Sequence, residues 1–209
     1  METEEVVRSL ASGLRPVRRL RPASSRAALW CAFAVLCVAV GTSILGPGAD
    51  LLPKMGNPQF WLQNAVLLLA FFLSATIAFH MSVPGSEPAP GARALPLWAL
   101  IAWGCMLAAG TLASPMKAAQ AAGWLCVSRT ALLALVPALV AFFMLRRAAP
   151  TSPGWTGCAA LLSAVSLAIV GMQLVCARSD SWHVFVWHFL PATVFTLAGV
   201  LLGRRFLVT

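Results

Sequence analysis

The sequence predicts an all-α, polytopic membrane protein: a bundle of six transmembrane helices with both termini in the cytoplasm. Three observations lead there. Apolar residues make up 60% of the 209 and charged residues only 10%, whereas an ordinary soluble domain carries about 25% charged residues. The apolar residues gather into six runs, each reaching the roughly 20 residues that a spanning helix needs. The 15 Lys and Arg sit at the ends of those runs rather than in patches. A net charge of +9 would otherwise suggest an acidic polymer as partner, but this distribution is the membrane pattern, and no direct nucleic-acid contact is expected.

In chain order, "METEEVVRSLASG" comes first. Thr3 is placed to N-cap a short helix, with Glu4 and Glu5 in the first turn, where negative charge is favoured. Val7, Leu10, Leu14 and Val17 recur at 3-4-3 spacing and make one apolar stripe on it. Gly13 and Pro16 end the helix near residue 14, and "LRPVRRLRPASSR" carries the chain to the bilayer. The spans are 27–46, 59–80, 94–113, 125–145, 155–176 and 183–203. Turn and charge signals separate them: "GPGADLLPKMGNP", "SVPGSEPAPGAR", "SPMKAAQ", "RRAAPTSP" and "ARSDS". The breaks leave no room for a second soluble domain, so the chain divides into a cytoplasmic segment, 1–26, and a transmembrane domain, 27–205. Pro137 and Pro191 are expected to kink their helices.

Orientation follows from the positive charges, which stay inside when loops are short. With the N-terminus inside, inner segments hold Arg8, Arg15, Arg18, Arg19, Arg21, Arg26, Arg93, Arg146, Arg147, Arg204 and Arg205. Outer segments hold Lys54, Lys117 and Arg178, with Arg129 just inside the outer end of the fourth span. The first run is expected to be a retained span, because it is too long for a signal peptide and "GTSILGPGAD" offers no small-x-small cleavage site.

Reactive chemistry inside a bilayer requires ionisable groups there. The spans hold Arg129 and the edge histidines His80, His183 and His188, and no Asp or Glu. No nucleophile elbow, His-Glu-x-x-His zinc site or phosphate-binding glycine loop occurs. Arg129 is read as snorkelling toward the outer interface, and His188 as a packed, hydrogen-bonded side chain without a facing histidine. No enzymatic activity and no permanent cofactor are expected.

The six cysteines divide by depth. Cys31, Cys37, Cys105 and Cys158 lie within spans, where Cys acts as a small hydrophobe. Cys126, in "GWLCVSR", and Cys176, in "LVCARSD", mark the outer ends of the fourth and fifth spans, on the side where disulfides persist. Asp180, His183 and His188 follow Cys176 closely. Thiolate, imidazole and carboxylate together suit soft and borderline metals, so a transient ion at Cys126, Cys176 and His183 is one reading. A pair of interfacial cysteines without a role is the other.

Arginines at 18–26 are explained by positive-inside anchoring. A separate Val and Leu stripe twenty residues before the membrane is not. It either lies on the inner leaflet or docks in a partner's groove, and its two leading glutamates favour a protein partner. Here the residues converge on a resemblance. "L-x-x-x-L-x-P-V-R-R-L-R-P" at Leu10–Pro22, "G-W-x-C" at Gly123–Cys126, and a final stretch, Cys176–Arg205, running from Cys through Asp180 and "F-V-W-H" to "L-L-G-R-R" occur in this order. The chain resembles the NrsF family of membrane anti-sigma factors over nearly its whole length. That resemblance implies a bacterial inner-membrane protein that sequesters an extracytoplasmic-function, sigma-F-type sigma factor and releases it under metal or oxidative stress. It implies sensing by Cys126 and Cys176. The apolar stripe makes residues 1–26 the expected sigma-binding surface, for which Val7, Leu10, Leu14, Arg15, Val17, Arg18 and Arg19 are the candidates, with the Ser82–Arg93 loop as an addition. The rival reading is a membrane thiol oxidoreductase passing electrons from the cysteine pair to quinone; it lacks a CxxC or a second redox pair.

Overall fold

The computed structural model describes residues 3–12, 20–113, 123–148 and 150–208, which form helices and connecting loops without a strand. In order these are α1 (Thr3–Ser12), α2 (Ala23–Leu45), α3 (Leu51–Met55), α4 (Pro58–His80), α5 (Pro90–Ala113), α6 (Trp124–Arg146), α7 (Pro153–Val175) and α8 (Ser181–Val184). A π-helical turn, Phe185–Phe189, joins α8 to α9 (Leu190–Phe206). Six helical stretches are long and apolar enough to cross a membrane: α2, α4, α5, α6, α7 and the composite Ser181–Phe206. This is the six-helix, all-α membrane architecture that the composition predicts.

The spans alternate in direction, which gives the bundle two ends. The near end holds the start of α2 and the end of α9; the far end holds the α2–α4 loop and the α7–α8 junction. At the centre stands α7, with seventeen of its twenty-three residues buried. Its sequence explains this position, since small and apolar residues surround it on every face and a helix apolar all round belongs in the interior. At the bundle's edge α2 does the opposite. It buries a stripe from Ala23 and Ala27 through Trp30 and Ala34 to Val38 and leaves Leu29, Leu36 and Ile44 exposed on its other face, as a lipid-facing helix does.

The tightest contact joins α7 to α9 through glycines. A Cβ at Gly199 would stand 2.6 Å from the Gly157 carbonyl oxygen, and one at Gly157 would strike the Gly199 carbonyl oxygen. Small residues that let backbones touch are the usual basis of helix pairing in lipid, where no hydrophobic force drives helices together. Because the obstacle is backbone, it cannot swing aside. Gly199→Ala is therefore expected to cost about 1–3 kcal/mol, the range for overpacking, in thermal unfolding of detergent-purified protein. Gly91→Ala, where nothing lies within 4 Å, is the matched control and is expected to be neutral.

Arg26, expected as the last residue of a purely cytoplasmic segment, lies inside α2 and is buried. Its guanidinium donates to Ser82 Oγ (3.3 Å) and to the Met144 carbonyl (2.8 Å), and its Cζ sits 5.3 Å from the centre of the Phe79 ring. One arginine thus ties α2, the end of α4 and the end of α6 together at the near end. At the same end, the Glu87 carboxylate accepts from Gly85 N–H (2.9 Å) and Thr151 Oγ (3.1 Å), linking the loop after α4 to the loop before α7. Among the expected proline positions, Pro137 lies inside α6 and Pro191 begins α9 just past the π turn; Pro96 is a third, inside α5.

The helix expected at the N-terminus is present as α1, with Thr3 as its first residue rather than its cap, and none of its residues is buried. Val7 and Leu10 are exposed. Leu14, Arg15, Val17, Arg18 and Arg19, and also Lys117, lie outside the described residues.

Candidate functional site

At the far end, four side chains from three helical stretches meet. Cys126 comes from the first turn of α6, after Gly123, whose missing side chain is the space that the Trp187 indole fills. Trp124 meets the same indole edge-on, with ring centres 5.2 Å apart. "G-W-x-C" therefore reads as a seat: Gly admits Trp187, Trp124 braces it, and Cys126 one turn on faces inward. Cys176 is the residue at which α7 ends. Its carbonyl accepts from Lys54 Nζ, and Gly48 N–H caps the Leu174 carbonyl at 2.9 Å. The loop after α2 thus covers the exposed carbonyls of α7 with a donor and a cation, both favourable at a helix C-terminus. Lys54 itself is buried and paired with Asp50 at 3.1 Å.

His183 and His188 come from the last span. Asp180 Oδ1 accepts from the His183 N–H at 2.9 Å and so caps the helix. His183 and His188 are five residues apart, which in an α-helix at 3.6 residues per turn places side chains about 140° apart. The π turn removes that separation: Leu190 N–H reaches the Phe185 carbonyl, an i→i+5 bond, and residues five apart then stack. The two imidazoles accordingly meet edge-on with centres 5.5 Å apart. Phe189 wedges the turn against α5, filling the space at Gly104 and meeting Trp103 edge-on at 5.6 Å. Single π turns of this kind are frequent at functional sites.

The Cys126 and Cys176 sulfurs are 3.6 Å apart, and His183 Nε2 lies 3.5 Å from the first and 3.4 Å from the second. One donor atom from each of these three and from His188 can be chosen so that all four lie within 4.8 Å of one another. Cys176, His183 and His188 are buried. A cavity of about 200 Å³ at the same end is lined by Asp50, Lys54, Asn57, Phe60, Gln63 and Gln173 among others, and by no member of the cluster.

The predicted trio Cys126, Cys176 and His183 is thus brought together. His188 is packed as expected, but His183 stands against it and neither His188 ring nitrogen has a hydrogen-bond partner. Asp180 is a capping residue instead of a member of the cluster. Of the other cysteines, Cys158 is buried, Cys31 and Cys37 half-buried, and Cys105 exposed, and none joins the cluster. Lys54 and the buried pair Gln63 and Gln173, whose amides meet at 3.4 Å, escaped the sequence reading. A search for buried ionisable groups passes over neutral amides, and a loop lysine gives no local sign that it will fold under.

A family model described as NrsF, negative regulator of sigma F, matches residues 10–208. The chain belongs to the NrsF family. The matched stretch begins at Leu10 on α1 and takes in the whole bundle, including all four residues of the cluster. That description makes a sigma factor the partner and points to a regulator, in keeping with a non-enzymatic role. No curated protein and no solved structure matches the chain.

Proposed function

We propose that the protein is a sensor and anti-sigma factor of the bacterial inner membrane. It holds an extracytoplasmic-function sigma factor on the cytoplasmic side through residues 1–26 and releases it when the Cys126–Cys176 site, at the outer end, takes up a metal ion or is oxidised. The observation carrying this reading is the meeting of two cysteines, fifty residues apart in sequence, at 3.6 Å at the far end of the bundle, while α2, the first span after the N-terminal segment in sequence, starts at the near end. On this reading, sensing and holding are separated by the thickness of the membrane. The excess of Arg in the near-end segments supports placing that end in the cytoplasm. The exposed Val7 and Leu10 support a helix-in-groove contact, because an amphipathic helix with no buried residue of its own has an apolar face left to cover.

Coupling between the ends runs through α7. Cys176 terminates it at the far end, and its near half packs backbone to backbone on α9. A change that draws Cys126, Cys176 and the π turn together shifts α6, α7 and α9 relative to one another. The test is co-purification of the tagged protein from membranes with the sigma factor encoded beside it. The complex is expected to be recovered from unstressed cells and lost after exposure to a thiol-binding metal or an oxidant. Absence of any sigma factor from the unstressed preparation would sink the proposal.

A further inference from the structure

We infer that Cys126, Cys176, His183 and His188 form a closed, four-coordinate S2N2 site for a zinc-type divalent cation, with His188 as a full ligand. This deepens the sensing reading proposed above, yet it stands apart from it, because metal uptake requires neither sigma factor nor transcription.

The distances carry the argument. With metal–sulfur bonds of about 2.3 Å and metal–nitrogen bonds of about 2.0–2.1 Å, a tetrahedral ion sets its sulfurs roughly 3.8 Å apart and each sulfur roughly 3.6 Å from a ligating nitrogen. The structure has 3.6 Å between the sulfurs and 3.5 and 3.4 Å from them to His183 Nε2. Three corners of the tetrahedron are therefore in place to within about 0.2 Å. A disulfide would instead need the sulfurs to close to about 2.05 Å. The fourth corner belongs to His188. The set spans at most 4.8 Å, so a shift of roughly 1 Å brings its nitrogen to tetrahedral spacing.

His188 has no other evident use. It is buried, with both ring nitrogens unpartnered, and a buried polar group left unmatched is destabilising. Ligation satisfies one of those nitrogens. The π turn that brings His188 round to His183 interrupts regular α-helix bonding, and it is wedged in place by Trp187 against Gly123 and Phe189 against Gly104. The chemistry is simple: each thiol gives up its proton to solvent as its sulfur binds the ion, and no electrons move. Two thiolates and two imidazoles select borderline and soft ions over Mg2+ or Ca2+. Four protein ligands leave no open position for water, as in structural rather than catalytic zinc sites.

The test is titration of the full-length, reduced protein in detergent with Co2+, followed by competition with Zn2+. One equivalent is expected to bind with the intense visible bands of tetrahedral cobalt and thiolate-to-cobalt charge transfer, and Zn2+ is expected to displace it. His188→Ala and His183→Ala are each expected to weaken binding by at least the roughly 10- to 100-fold that even outer-shell partners are worth, and His188→Ala to lower the tetrahedral band intensity. Metal-free melting temperatures of these variants separate lost ligation from lost folding. If His188→Ala binds cobalt with unchanged affinity and spectrum, or if the reduced protein takes up no stoichiometric cobalt, the site is wrong. Stress-induced release that persists without cobalt binding would overturn the metal site while leaving the sensing proposal standing.

Discussion

Replacing either Cys126 or Cys176 by Ser is expected to abolish stress-induced transcription as completely as replacing both, with repression in unstressed cells intact. The reason lies in the geometry: the two sulfurs and His183 Nε2 are mutually within 3.6 Å, so one bridge or one ion engages both sulfurs or neither. Driving a two-state equilibrium from 1:99 to 99:1 takes about 5.5 kcal/mol of differential stabilisation. Structural zinc sites deliver apparent free energies of about 10–16 kcal/mol, and losing one of two sulfurs removes that margin. Cys31, Cys37, Cys105 and Cys158 stand outside the cluster, and their Ser variants are expected to respond normally. A promoter reporter read with and without cadmium or oxidant decides the matter. Half the response surviving in each single variant would mean that the cysteines act independently.

Deletion of residues 2–14 is expected to switch target transcription on without stress, while leaving the protein correctly inserted. Arg18, Arg19, Arg21 and Arg26 remain to hold the N-terminus inside, and Arg26 keeps its bonds to Ser82 and Met144, so a reporter fused after Thr209 is expected still to report cytoplasm. The loss of repression follows from the stripe. Burying a leucine is worth about 1.5–3 kcal/mol, so changing Leu10 and Leu14 together to Gln removes about 3–6 kcal/mol of docking energy. At about 1.4 kcal/mol per decade, that weakens sigma binding by about 10²- to 10⁴-fold, measurable with purified sigma factor. Unchanged repression in both variants would assign the segment to topology alone.

The two predictions address opposite ends of the molecule, and the near end carries a further consequence of Arg26. This residue counts toward the positive-inside charge, yet it also bonds the loop after α4 and the end of α6. Its sequence neighbours Ser24 and Ser25 give no hint of that. Charge bias is a property of composition along the chain, whereas a guanidinium's partners are set by which helix ends meet.

Six spans, their limits to within a few residues and the special standing of Cys126 and Cys176 could be read from the sequence alone. Each depends on one-dimensional quantities: the length of an apolar run against the thickness of hydrocarbon, the side of the membrane on which Arg accumulates, and the depth of a cysteine within its run. Even the π turn left a faint mark, in two histidines five apart beside the aromatic run Phe185–Phe189. What only the tertiary structure decided was the membership of the cluster. His188 enters it because the helix slips into i→i+5 bonding, and that slip depends on Gly123 and Gly104 in other helices making room for Trp187 and Phe189. Lys54 reaches the Cys176 carbonyl because the loop after α2 folds across the end of α7. Helical periodicity fixes which face a residue takes only while the helix stays regular; once neighbouring helices choose its local pitch, the face is settled by packing, and the donors of a site come from whichever helix ends that packing brings together.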